Sequence, residues 1–243
     1  MGDADFVRRI RGILRGLPRL LVFDLDGTLV DSLRDLADSA NALLAEHGCA
    51  ALPEEAVGRM VGDGAATLVA RVFAAAGSVP PPDGLARFLA IYNSRLLKFT
   101  RAYPGIHDAL AALGARAQLA VLTNKPRHAT CEILDALDLA RHFSPAHVVG
   151  GDGPFPRKPN PSGLHHLIRE AAAIPDDTTM VGDSVIDWRT ARAAGTHVCL
   201  VKYGFGFEGF PISALDADDR VVDSPAALLT CLSGTHYLPK GSS

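Results

Sequence analysis

The sequence predicts an α/β fold in which a parallel β-sheet is covered by helices on both faces. A small all-helical domain is inserted after the first strand. Three observations predict this. Short, wholly apolar runs recur along the chain, as strands buried on both faces require. Helical patterns separate most of them, the alternation of a sheet built from crossover connections. One interval, between the first and second apolar runs, is helical throughout and too long for an ordinary crossover.

The elements follow in order. Residues 1–18 are basic and place Phe6, Ile10, Ile13, Leu14 and Leu17 at helical spacing, which predicts a helical extension lying on the fold or on a partner chain. Leu20-Leu21-Val22-Phe23 is the first strand. The helical insertion covers residues 32–99, punctuated by Gly62, Gly64 and the Pro80-Pro81-Pro82 run, and is expected to sit over one end of the sheet. Further strands are expected at Leu119 to Leu122, Val148-Val149, Met180-Val181, Val198 to Val201 and Val221-Val222. Helices are expected from Ile106 to Leu113, from Pro126 through Leu137, from Pro161 through Ala173, and from Asp187 to Ala194, where Gly195 stops the last. The core is thus split between residues 19–31 and 100–234, and residues 235–243 read as a mobile tail.

Composition narrows the function. Apolar residues make up 48% of the 243-residue chain, enough to bury a sizeable core. A net charge of -3 offers no basic excess for nucleic acid. No apolar run has the length of a membrane-spanning helix, and arginines interrupt any secretory signal. Cys49, Cys131, Cys199 and Cys231 are far apart and form no zinc pattern. They read as small buried hydrophobes in a reducing compartment, and the expected location is cytoplasmic. Whether the chain forms oligomers is not written in these features.

Ligands of open parallel sheets bind beyond the carboxyl ends of the strands, so the polar residues there carry the functional reading. The first strand runs into Asp24-Leu25-Asp26-Gly27-Thr28. Alternation would aim Asp24 and Asp26 to the same side, and two such anions need a cation or a shared proton between them. The second core strand ends in Thr123-Asn124-Lys125, a later loop carries Lys158, and Gly182-Asp183-Ser184 is followed one turn on by Asp187. Oxygen-only donors of this kind suit Mg²⁺ rather than zinc. Each feature has a plainer explanation: Asp-Gly as a turn, Asp183 and Ser184 as helix caps, Thr123 and Asn124 as loop residues, Lys158 as a surface charge. Their order at successive strand ends would make those several independent coincidences.

Phe23-Asp24-Leu25-Asp26-Gly27-Thr28-Leu29-Val30-Asp31-Ser32 resembles the first motif of the haloacid dehalogenase superfamily. Thr123, Lys158 and the stretch from Gly182-Asp183-Ser184 to Asp187 resemble its second, third and fourth motifs. The resemblance implies a Rossmann-like core with a mobile helical cap. It implies that Asp24 is the nucleophile, forming an aspartyl-phosphate, and that Asp26 is the general acid and base. Mg²⁺ would be held by the Asp24 carboxylate, the Asp26 backbone carbonyl and Asp183, with Asp187 acting through water or by orienting Asp183. Lys158 would balance charge, and Thr123 with the Asn124 backbone N–H would bind phosphoryl oxygens.

The cap would choose a small phosphate ester as substrate. Val61-Gly62-Asp63-Gly64-Ala65-Ala66, in which Gly62 and Gly64 allow close backbone approach to a ligand, is similar to the cap loop of the phosphoglycolate phosphatase family. So are Tyr103-Pro104-Gly105, Thr123-Asn124-Lys125-Pro126, Gly150-Gly151-Asp152, Lys158-Pro159-Asn160-Pro161 and Tyr203-Gly204. Sugar phosphates, pyrophosphate, a β-phosphoglucomutase-like mutase reaction and a non-catalytic phosphometabolite sensor are the alternatives.

Overall fold

The computed structural model describes residues 18–208, 210–216 and 219–232. The helical extension expected over residues 1–18, apart from Pro18, and the tail at 235–243 lie outside these residues.

Among the described residues, six parallel strands form the main sheet: β1 (Leu20–Phe23), β4 (Gln118–Leu122), β5 (Val148–Val149), β6 (Thr178–Gly182), β7 (His197–Val201) and β8 (Arg220–Val222). Their spatial order is β5-β4-β1-β6-β7-β8. All six coincide with apolar runs read from the sequence. The period-2 alternation of a strand divides them cleanly between two cores. Leu21, Phe23, Val121, Val181 and Cys199 pack in one core, which includes α5 (Ile106–Gly114), α6 (Arg127–Ala136) and α9 (Pro225–Leu232). Leu20, Val22, Ala120, Met180 and Leu200 pack in the other, with α7 (Ser162–Glu170) and α8 (Val185–Ala194). A strand buried on both faces has no polar side to show, which is why each run is wholly apolar.

The chain moves outward from β1 through β4 to β5, then returns to the opposite side of β1 for β6, β7 and β8. The reversal places β1 at the switch point of the sheet, where ligands of open α/β sheets bind.

The helical insertion holds α1 (Leu33–Glu46), α2 (Glu54–Gly58), α3 (Ala65–Ala75) and α4 (Gly84–Asn93). On α1, Leu36, Ala37, Ala40, Leu43 and Leu44 make a buried stripe at the spacing of a packed helix face. A two-stranded antiparallel ribbon, β2 (Val30–Asp31) with β3 (Arg101–Ala102), brackets the insertion. The fully buried Asp35 fastens this neck: its Oδ2 accepts from Phe99 N at 2.9 Å, Thr100 N at 2.7 Å and Thr100 Oγ1 at 2.8 Å. Two-residue strands are too short to leave a periodic signal, so the ribbon is not visible in the sequence.

One helix ends earlier than its sequence suggests. The pattern from Pro161 runs to Ala173, but α7 stops at Glu170. Ala172 takes a left-handed φ of 48°, Ala173 N donates to Ile168 O, and Ala172 N donates to Arg169 O. This is a Schellman cap built with alanine where glycine is usual, so no residue marks it. No helix among the described residues is long and apolar enough to cross a membrane.

Candidate active site

Register builds the site. Phe23 pairs with Val121 on one side and Val181 on the other, so Asp24, Thr123 and Asp183 emerge together at the carboxyl edge. The chain leaves the strand at Asp24 and turns sharply. Leu25 O accepts from the N–H groups of Thr28, Leu29 and Val30, and Gly27 supplies a φ of 82°. The two aspartates flanking Leu25 therefore do not continue a strand. Both reach one cavity, but each meets a different ammonium.

Asp24 belongs to a buried ionic cluster. Lys158 Nζ stands 2.9 Å from Asp24 Oδ1 and donates to Asp187 Oδ1 at 2.6 Å. The Lys158 and Asp187 side chains are almost wholly buried and are absent from the cavity wall. Asp187 also completes the capping box of α8, whose N-cap is Ser184: its Oδ2 accepts from Ser184 N and Ser184 Oγ, while Ser184 Oγ accepts from Asp187 N. Capping and charge placement are one structure here, since the helix start fixes the carboxylate that holds Lys158. Oxygens of Asp24, Asp183 and Asp187 lie within 4.8 Å of one another, a set that could hold a metal ion.

Asp183 is enclosed by glycines. Gly206 N donates to its Oδ2 at 2.8 Å. A Cβ on Gly27 would stand 2.0 Å from Asp183 Oδ2, and one on Gly204 would stand 2.4 Å from Asp183 Cβ and 2.2 Å from Gly27 O. The chain therefore closes on this carboxylate more tightly than any side chain permits.

The electrostatics follow from burial. Burial pushes the Asp24 carboxyl up to about 6, against the pull of Lys158 and with added push from Asp187. Burial likewise raises Asp183 well above the ordinary carboxylate range, reinforced by Asp187 and Asp24. Burial acts to lower Lys158, but Asp187 and Asp24 outweigh it and hold the ammonium above its usual value. Three carboxyl groups face one ammonium in this cluster, so ionising all three leaves more negative charge than Lys158 balances, and a cation there would relieve it.

Asp26 is tied elsewhere. Lys125 Nζ donates to both of its carboxylate oxygens at 3.0 Å, and Ser32 Oγ donates to Oδ1 at 2.5 Å. Lys125 Nζ also donates to the Tyr92 hydroxyl on α4 at 2.7 Å. The reading from sequence passed over Lys125, Tyr92 and Ser32 as functional groups. The available signal was that Lys125 immediately follows Thr123 and Asn124 at a strand end.

Thr123 is buried on the cavity wall, where its Oγ1 accepts from Lys125 N at 3.2 Å. The Asn124 side chain is fully engaged. Its Oδ1 accepts from Lys158 N at 2.8 Å, and its Nδ2 donates to Lys158 O at 3.0 Å and to Gly62 O at 2.8 Å. It thus positions the Lys158 backbone and fastens the insertion to the core. Gly150 and Gly151 leave room for this segment, since a Cβ on Gly151 would stand 2.3 Å from Asn124 O.

Gly62 and Gly64 both line the cavity, with φ of 119° and 91°. Asp63 between them is absent from the wall and pairs with Arg71 at 2.6 Å. Leu36, Val61, Leu68, Phe88 and Leu89 complete an apolar wall from the insertion. Lys98 is exposed beside Phe99 and absent from the cavity wall. All four cysteines are free thiols.

Comparison with known proteins gives one family. A family model described as haloacid dehalogenase-like hydrolase matches residues 21–201. A phosphoglycolate phosphatase of Rhodospirillum rubrum is 44% identical over 210 residues, spanning 83% of this chain and 86% of the relative. Phosphoglycolate phosphatase 1 of Pseudomonas aeruginosa is 37% identical over 223 residues, spanning 88% and 80%. Among solved structures, a predicted phosphoglycolate phosphatase from Haemophilus somnus superposes with a TM-score of 0.80 at 32% identity, covering 87% of this chain and 96% of the other.

Proposed function

The chain belongs to the haloacid dehalogenase-like hydrolase family, and on that premise we propose that it is a Mg²⁺-dependent phosphomonoesterase whose substrate is 2-phosphoglycolate. The observation that carries the reading is the clustering of the Asp24, Asp183 and Asp187 carboxyl groups around a single ammonium, beside a cavity large enough for a small ester. These residues fit the metal: the donors are hard oxygens, and burial has already removed the water that would otherwise solvate them. Asp24, Asp183 and the Asp26 carbonyl would hold it. Asp187, with both oxygens engaged by Lys158 and Ser184, acts by holding Lys158. When bound, the ion supplies the positive charge that lets a carboxylate approach an anionic phosphate.

The chain's own groups perform the steps. Asp24 attacks phosphorus, the bond to the leaving oxygen breaks, and Asp26 gives that oxygen a proton. Water then cleaves the aspartyl-phosphate, giving its proton to Asp26 and restoring Asp24. Thr123 stabilises the phosphoryl oxygens, and Lys158, behind the wall, balances the charge on Asp24. Residues 32–99 act as a cap, whose apolar wall excludes water and disfavours polyhydroxylated sugars.

The test is phosphate release from a panel containing 2-phosphoglycolate, sugar phosphates and pyrophosphate, with Mg²⁺ and with a chelator. The reading expects phosphoglycolate to have the highest kcat/KM and the chelator to abolish release. A sugar phosphate ranking first would discard the substrate and keep the chemistry.

A further inference from the structure

The cavity contains a cation that the hydrolytic steps use only to hold Asp26. Lys125 is the one cationic side chain among the described residues lining it, since Lys158 lies behind the wall. Its side chain is only 4% exposed, and its Nζ contacts both Asp26 oxygens and the Tyr92 hydroxyl. Leu36, Leu68, Phe88 and Leu89 line the same cavity, and none of them can serve a polar substrate group.

From this geometry we infer that Lys125 and the Tyr92 hydroxyl form a carboxylate-binding subsite, which selects phosphate esters of 2-hydroxy acids. The inference rests on the proposed phosphatase reading and deepens it. The leaving oxygen must lie beside Asp26 to receive its proton, and Lys125 Nζ is 3.0 Å from that carboxylate. With bonds of about 1.5 Å, a carboxyl group one carbon from the leaving oxygen lies within about 3–4 Å of it, inside the reach of Lys125. Tyr92 comes from the insertion and Lys125 from the core, so a bound carboxylate is held by both. A neutral ester places an alkyl or hydroxyl group there and leaves a buried ammonium without its second anion.

The experiment compares phosphoglycolate with ethyl phosphate, which has the same two-carbon skeleton without the carboxylate. Because Lys125 also holds Asp26, Lys125→Met lowers turnover of both esters, and the ratio of their kcat/KM values isolates the subsite. That ratio is expected to fall about 10–100-fold in Lys125→Met, the effect of losing a charged hydrogen bond, and about 3–10-fold in Tyr92→Phe. An unchanged ratio in both variants overturns the subsite and leaves Lys125 as a support for Asp26 alone. Titration calorimetry in an Asp24→Asn background gives a readout without turnover. There Lys125→Met should weaken phosphoglycolate more than ethyl phosphate, and equal weakening again overturns the proposal. If Lys125→Met does not fold, Tyr92→Phe alone decides by the same ratio. A wild-type protein that releases phosphate from neither ester defeats the phosphoglycolate reading on which the subsite rests, a result distinct from an unchanged ratio.

Discussion

The two walls of the cavity are built on opposite principles. The sheet edge presents charge: Asp24 and Asp183 line it, with Asp187 and Lys158 behind them, all buried and locked by bonds within the core. The insertion presents hydrocarbon, and in the cavity it meets the core through the Asn124–Gly62 and Lys125–Tyr92 hydrogen bonds. A rigid ionic wall can hold a reacting group to the accuracy that chemistry requires. A loosely tied apolar wall can admit, enclose and discriminate. On the proposed reading, reaction type resides on the sheet edge and substrate choice on the insertion together with Lys125, so the two should respond to mutation separately.

Perturbing each wall in turn tests this separation. The largest expected effect is Asp24→Asn, which should lower kcat by about 10⁴-fold or more while circular dichroism and the melting profile stay native. Substantial turnover in that variant would remove Asp24 as nucleophile. Next is Lys158→Met, which strands two carboxylates in a buried site. It should cost about 3–5 kcal/mol in urea unfolding as well as activity. A stability loss under about 1 kcal/mol would mean that the cluster is far better solvated than its burial indicates.

On the apolar wall, Leu68→Ala should cost about 2–4 kcal/mol and raise KM, yet leave the Mg²⁺ concentration dependence unchanged. A parallel loss of metal affinity would break the separation of the walls.

Magnesium and pH sharpen it further. Asp24 has its folded pKa raised from 3.8 to about 6, so in metal-free protein its stability contribution is fully present below 3.8 and is lost as pH rises through about 6. Asp183 shifts in the same direction. Mg²⁺ should therefore stabilise most at neutral pH, by about 2.7 kcal/mol at a hundredfold excess over Kd. That gain should fade as the carboxyls protonate below about 6. A thermal shift as large at pH 5 as at pH 7.5 would place the ion elsewhere. The smallest expected effect is Asp63→Asn. Its charge is spent on Arg71 near the surface, so stability should change by less than about 0.5 kcal/mol and KM for phosphoglycolate by less than twofold.

The sheet was legible because strands covered on both faces leave apolar runs, and the strand-end aspartates because register carries them to one edge. The insertion was legible as an interruption of that rhythm. Its neck was not, because Val30–Asp31 and Arg101–Ala102 are each two residues long and owe their pairing to distant sequence. Lys125 was hidden for a similar reason: its partners Asp26 and Tyr92 lie 99 and 33 residues away. The glycines around Asp183 look like ordinary turn residues until the chain folds back on them.

The neck has an architectural corollary. Asp31 and Arg101 face each other in antiparallel register, and Asp35 pins the departing and returning chain at one point. A two-residue turn joining Asp31 to Arg101 would make an unbroken hairpin, so the helices form a cartridge that plugs into a socket. Only a few bonds, Ser32 to Asp26, Lys125 to Tyr92 and Asn124 to Gly62, would have to be re-formed if such a cartridge were replaced.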